Sequence, residues 1–79
     1  MVYSLLTMDD GTEIVYSHML PDGKIKVYVE RPDEIDCFHY ATCWLPGCKW
    51  ENIFGFTQEE IDAFQSVINT HLHSLGYDK

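Results

Sequence analysis

Residues 2–30 read VYSLLTMDDGTEIVYSHMLPDGKIKVYVE, and the alternation of strand-forming segments with short turns in this stretch indicates how the chain folds. Three of its segments are rich in the β-branched and aromatic residues that favour strands: 2–8, 12–20 and 24–30. Between them lie Asp9-Asp10-Gly11 and Pro21-Asp22-Gly23, and each break ends in a glycine that accepts the left-handed conformation of a tight hairpin. The stretch therefore predicts a three-stranded antiparallel meander.

The third segment places Ile25, Val27 and Val29 on one face and polar residues on the other, which is typical of a strand with one buried face. A polar break follows over 31–36, where Pro32 is expected to stop the strand. A fourth strand is predicted over 37–45. Both of its faces carry apolar side chains, so it is expected to be a central strand or one that is covered on both sides.

The C-terminal part predicts a helix from about 58 to 75. Thr57 and Glu60 fit a capping box, apolar residues recur at helical spacing, and Gly76 is a stop signal. The preceding segment 50–56, WENIFGF, is predicted as a connecting loop. Its apolar side chains either plug the end of the sheet–helix sandwich or form a protruding contact loop.

These elements predict a single α+β domain over residues 1–79. The expected architecture is a four-stranded, mainly antiparallel meander with one C-terminal helix packed on one face. A chain of this length buries only about 60% of its unfolded surface, so modest stability is expected.

The charge balance is the strongest functional signal. Thirteen acidic residues stand against five basic ones, for a net charge of −8, while 46% hydrophobic residues distinguish the chain from an acidic disordered tail. This charge argues against direct nucleic-acid binding and favours encounter with a basic protein. Neither a signal peptide nor a membrane span is predicted. Together with an odd cysteine count, this predicts a soluble cytoplasmic protein with reduced thiols.

Cys37, His39, Cys43 and Cys48 offer the ligand types of a zinc site, but they lack a C-x-x-C knuckle. A cysteine nucleophile with a histidine base is also disfavoured, because an acidic surrounding raises the thiol pKa. The sequence thus predicts buried free thiols, no metal, no cofactor and no enzymatic activity.

The candidate binding residues are carboxylates that could form a phosphate-like negative surface and aromatic residues that could anchor a partner. They are Asp33, Glu34, Asp36, Glu59, Asp62, Tyr40, Trp44 and Trp50. For the carboxylates the simpler interpretation is turn and capping roles, and for the aromatic residues it is core and cross-strand packing.

Leu45-Pro46-Gly47-Cys48, followed some ten residues later by a capped acidic helix, resembles the strand-to-helix passage of antitoxins of the HicB type. Such antitoxins are acidic and mask a small basic RNase, so the resemblance, over about a third of the chain, implies a protein-binding role. The leading hypothesis is a small non-enzymatic inhibitor or adaptor, antitoxin-like or anti-CRISPR-like, that binds a basic nucleic-acid-handling protein by partial nucleic-acid mimicry. The alternative is a structural module that self-associates as a homodimer and has no specific acidic site.

Overall fold

The computed structural model describes residues 2–71 and contains five strands followed by one helix. The elements are β1 (Val2–Thr7), β2 (Glu13–Ser17), β3 (Ile25–Asp33), β4 (Cys37–Leu45), β5 (Lys49–Phe54) and α1 (Gln58–Thr70). All neighbouring strands are antiparallel, in the order β1-β2-β3-β4-β5. The α+β class and the antiparallel meander are confirmed, whereas the predicted count of four strands is wrong by one.

The two glycine turns have the same construction. In each, the glycine N–H donates to the carbonyl three residues earlier, from Gly11 to Met8 at 3.0 Å and from Gly23 to Leu20 at 2.8 Å. The preceding aspartate accepts from the N–H two residues further on, at 2.9 and 3.1 Å respectively. Both glycines have positive φ, as the three-residue hairpin loop requires. The predicted hairpins are confirmed.

The predicted break at Pro32 is wrong, because β3 continues through it to Asp33 and pairs there with β4. The pairing of β3 with β2 reaches only as far as Glu30. Beyond Glu30, β3 has a partner on one side only in the described part of the sheet. A proline can therefore be accommodated with its ring nitrogen on the unpaired side, which is the position that prolines take in edge strands.

The predicted loop over 50–56 is also wrong, because Lys49–Phe54 forms β5. Its pairing with β4 shifts between Tyr40 and Thr42, and Asn52 has a positive φ of 54°. An irregularity of this kind interrupts the two-residue alternation by which a strand is identified in a sequence. The segment therefore lacks a strand pattern although most of it lies in the sheet.

One face of the sheet packs against α1. The buried residues of this core are Ile14, Ile25, Val27, Val29, Ala41, Cys43, Leu45, Cys48, Ile61, Phe64 and Ile68. The predicted capping box is confirmed, since Thr57 accepts from the Glu60 N–H and the Glu60 side chain accepts from the Thr57 N–H. The helix ends at Thr70, earlier than predicted. Leu75 and Gly76, on which the later end depended, lie outside the described residues.

The opposite face of the sheet carries no helix in the described part of the chain. The alternate residues of β3 and β4 that point away from the core include Tyr28, Tyr40 and Trp44. We call this the open face. The predicted central position of β4 is confirmed, because β4 pairs with β3 on one side and with β5 on the other. The alternative expectation, cover on both faces, is met on one face only. Helix α1 is neither long enough nor apolar enough to cross a membrane, and no other helix occurs within residues 2–71.

Candidate protein-binding surface

The meander gathers carboxylates at one end of the sheet. In an antiparallel meander the first and third turns lie at the same end, and here the connection from β5 to α1 lies there too. A Cβ on Gly11, in the first turn, would lie 3.7 Å from Pro32, beside the third turn. The carboxylates at this acidic end are Asp9, Asp10, Glu13, Glu30, Asp33, Glu34, Asp36, Glu59 and Glu60. They are nine of the thirteen acidic residues in the chain.

The basic residues are distributed in the opposite way. Lys24, Lys26 and Lys49 lie at or near the other end of the sheet, around the turns that follow β2 and β4. Arg31 is the one lysine or arginine among residues 2–71 that lies at the acidic end. The described part of the molecule is therefore strongly polarised, with a negative potential concentrated at one end.

Arg31 ties three elements together at the acidic end. Its guanidinium donates to Glu60 of α1 at 2.7 Å and to Asp10 of the first turn at 3.3 Å, and it lies over the Phe56 ring at 4.9 Å. The hydrogen bond from Arg31 is the main cause that lowers the Glu60 pKa. The pKa of Asp10 is lowered mainly by hydrogen bonds from Thr12, with a smaller contribution from Arg31. These two carboxylates are therefore held by contacts within the fold.

The third turn is an exposed acidic loop. One Asp33 oxygen accepts hydrogen bonds from the N–H groups of Ile35 and Asp36, at 3.0 and 2.8 Å, and the bond from Asp36 is the main cause that lowers the Asp33 pKa. Glu34 is exposed, and its side chain makes no hydrogen bond or ion pair within residues 2–71. At its tip the loop presents Ile35, which is 91% exposed. An exposed isoleucine among carboxylates gives the loop an apolar contact as well as charge.

His39 supports this loop from β4. Its Nε2 lies 3.2 Å from an Asp36 oxygen and 3.5 Å from an Asp33 oxygen. The ring meets Phe54 and Phe56 edge to face, with centroids 6.1 and 5.9 Å apart. The imidazole is therefore held by aromatic packing on one side while it contacts both carboxylates with one nitrogen.

Asp33, Asp36 and His39 form the one group of three or more residues within 2–71 whose potential metal-ligating atoms lie within 4.8 Å of one another. The other ring nitrogen of His39, Nδ1, is buried and has no hydrogen-bond partner among the described residues. A metal on Nε2 would require the proton on Nδ1, which would leave a buried N–H without an acceptor. Asp33, Asp36 and His39 therefore fit a hydrogen-bonded set better than a metal site.

Aromatic side chains on the open face adjoin the acidic end. Tyr40 of β4 and Phe54 of β5 are cross-strand partners whose rings stack with centroids 5.3 Å apart and an interplanar angle of 24°. They are 37% and 43% exposed, and Phe38, nearer the acidic loop, is 45% exposed. We call Phe38, Tyr40 and Phe54 the aromatic patch. Glu30 pairs with Tyr40 across β3 and β4, so acidic and aromatic residues are direct neighbours.

An open groove of about 410 Å³ runs beside the stacked pair and includes Tyr28 and Thr42 in its lining. A second groove of about 430 Å³ lies on the other side of Tyr28, and Glu13, Val15 and Glu30 contribute to its lining. Burial, with a smaller contribution from the Glu30 carboxylate, raises the pKa of the Tyr28 phenol. Tyr28 thus remains a neutral hydroxyl donor between two grooves of the open face.

The structure brings some of the predicted binding residues together. Asp33, Glu34, Asp36 and Glu59 lie at the acidic end, and Tyr40 lies beside it on the open face. Phe38 and Phe54 also belong to this surface, although neither is among the residues predicted from the sequence. The sequence signal for Phe38 is the strand face that it shares with Tyr40. Phe54 joins the patch through the pairing of β5 with β4, which the sequence does not predict.

Three other predicted residues are placed elsewhere. Trp44 lies towards the lysine end, where its indole N–H donates to Glu51 at 2.7 Å. Trp50 is on the core side of the sheet and its N–H lies 3.3 Å from the Gln65 side-chain oxygen of α1. Asp62 is exposed on α1 and accepts from the Gln58 side chain at 2.9 Å. These three do not form one surface with the acidic end and the aromatic patch.

The four candidate zinc ligands Cys37, His39, Cys43 and Cys48 do not converge on one site. Cys37 is exposed, His39 contacts carboxylates, and Cys43 and Cys48 are buried in the core with free thiols. His71 is half-buried, and its Nδ1 lies 2.8 Å from the carbonyl oxygen of Val67.

No protein-family model, curated protein or solved structure matches the chain. The resemblance to HicB-type antitoxins therefore gains no support from these comparisons. The candidate surface stands on its geometry alone: an acidic end joined to an exposed aromatic patch on an uncovered sheet face.

Proposed function

We propose that this protein is a small non-enzymatic module that binds a basic protein through the acidic end and the aromatic patch. The observation that carries the proposal is their contiguity. Glu30 lies beside Tyr40 across the sheet, and Phe38 lies next to the loop of Asp33, Glu34 and Asp36. Charge complementarity would guide the encounter, and the partly exposed aromatic rings would supply the apolar contact.

The partner that fits best is a protein with a basic, nucleic-acid-binding groove. A groove built to hold phosphates presents lysine and arginine side chains at intervals, and spaced carboxylates can satisfy them in the same way. Binding there would block access of the nucleic acid, so the module would act as an inhibitor or an adaptor. The acidic-end carboxylates make the chain itself a poor ligand for nucleic acid.

Affinity capture with three baits tests this proposal. The baits are the wild-type chain, an acidic-loop variant (D33N/E34Q/D36N), and a control (D22N/E51Q/D62N) that removes the same number of charges away from the loop. The expected result is a basic protein that wild type and control both retain, that the loop variant loses, and that added salt releases. Titration with nucleic acid should then displace the module from that partner.

Two outcomes would contradict the proposal. Equal loss of the partner from the loop variant and the control would show that only net charge matters. Retention by the loop variant would show that the acidic end is not the contact. A Y40A/F54A bait separates the aromatic contribution, because it leaves every charge in place.

A second candidate is self-association through the open face. It is favoured by the Tyr40–Phe54 stack, which exposes two rings side by side in a region that no described element covers. Light scattering across a concentration series distinguishes the two. A homodimer that Y40A/F54A dissociates would support this candidate, whereas a monomer at all concentrations would eliminate it.

A further inference from the structure

Two buried thiols meet at the end of the sheet opposite the acidic end. The sulfur atoms of Cys43 and Cys48 lie 2.8 Å apart. A disulfide bond is about 2.05 Å long, so the two atoms need to approach by less than about 1 Å to form one. Cys43 is 0% exposed and Cys48 8% exposed, whereas the third cysteine, Cys37, lies on the surface.

The fold itself brings these sulfur atoms together. Cys43 lies within β4, paired with Val27 of β3 on one side and with Trp50 of β5 on the other. Cys48 lies in the short connection that follows and has a φ of 51°, which is uncommon for a residue with a side chain. In this conformation its thiol points back under the sheet towards Cys43 and becomes part of the core.

We propose that Cys43 and Cys48 are a reversible disulfide site, formed by exchange with a small-molecule disulfide such as oxidised glutathione. The Cys48 thiolate attacks the reagent, so that a mixed disulfide forms and one thiol leaves. Cys43 then attacks the Cys48 sulfur and releases the second thiol. In total two S–H bonds and the reagent disulfide are lost, while one intrachain disulfide and two reagent thiols are gained.

Accessibility supports this order of attack. Burial raises the pKa of both thiols, but hydrogen bonds with Cys43 and Trp50 partly offset the effect at Cys48. Since the thiolate is the reactive form, Cys48 is the better first nucleophile, and it is also the more exposed of the two. The same burial is expected to make both the oxidation and its reversal by a reductant slow.

The disulfide would fix the residue just before β5 to the last part of β4. Because it lies away from the acidic loop and the aromatic patch, it leaves the proposed binding surface unchanged. The inference therefore stands independently of the proposed function.

The test uses a C37S variant, which keeps the pair and removes the exposed thiol. The folded protein is incubated with oxidised glutathione, alkylated, and analysed by intact mass and by the tryptic peptide 27–49, which contains both residues. The expected product is a monomer lighter by two hydrogen atoms, without alkylation, and restored by dithiothreitol. The control C37S/C48A should form no intrachain bond.

Three results would overturn the proposal. One is full alkylation of both thiols after prolonged incubation of the folded protein. Another is a stable mixed disulfide on Cys48 that Cys43 does not resolve. The third is an intrachain bond that forms only in denaturant, because native geometry would then not be its cause.

Discussion

Gly55 is the position where one added methyl group should disturb the acidic end most directly. A Cβ built there would lie 2.2 Å from Cδ2 and 2.3 Å from Cγ of His39, and the backbone φ is +86°. Gly23 has nearly the same φ, +83°, but a Cβ there would meet nothing within 4 Å. A comparison of Gly55→Ala with Gly23→Ala therefore separates the cost of steric overlap from the cost of backbone strain.

Both alanine variants should incur the left-handed backbone cost of about 1–2 kcal/mol. Gly55→Ala must also displace the His39 ring, which is held between two phenylalanines and two aspartates. Overpacking of this kind typically costs about 1–3 kcal/mol. A domain of this size has a total stability of about 4–12 kcal/mol, so the Gly55 variant should lose a large part of it.

Urea unfolding followed by tryptophan fluorescence measures this difference. With an m value of about 1 kcal/mol/M, the midpoint of Gly55→Ala should lie about 1–3 M below that of Gly23→Ala. The midpoint of H39A/G55A should differ less from that of H39A than the midpoint of Gly55→Ala differs from that of wild type, because the overlapping ring is gone. Equal midpoints for the two alanine variants would show that the His39 ring does not resist the added methyl group.

Three further results are expected. Arg31 lowers the folded-state pKa of Glu60, so the ionised carboxylate stabilises the fold at pH values above its unfolded-state pKa. This stabilisation is lost as the pH falls through the folded-state pKa. The variant E60Q should therefore show a smaller loss of unfolding free energy between neutral and acidic pH. Because Tyr40 and Phe54 are partly exposed, Y40A/F54A should reduce stability less than a core truncation, by under about 2 kcal/mol in thermal unfolding, yet weaken partner binding. Oxidation of C37S should raise its unfolding free energy by about 2 kcal/mol, which is the entropic value for closing a loop of the six residues from Cys43 to Cys48. The control C37S/C48A should show no such gain.

The features of this protein that depend on local interactions can be read from its sequence. The two Asp-Gly turns, the alternation in β3 and the capping box at Thr57 each involve residues within about five positions of one another, and each was predicted correctly. The excess of carboxylates was equally available from composition. Such features are fixed by backbone preferences and hydrogen bonds that act over one turn.

Other features were decided only by the tertiary structure. Strand β5 has an irregular alternation, so its pairing with β4 defines it, and Pro32 is tolerated in β3 because that stretch lacks a second neighbour. Nine carboxylates from separate segments form one acidic end because the meander returns alternate turns to the same side of the sheet. The pairing of β4 with β5 places Phe54 on Tyr40 and the sulfur of Cys48 beside that of Cys43. Each depends on strand pairing between segments, which no local pattern encodes.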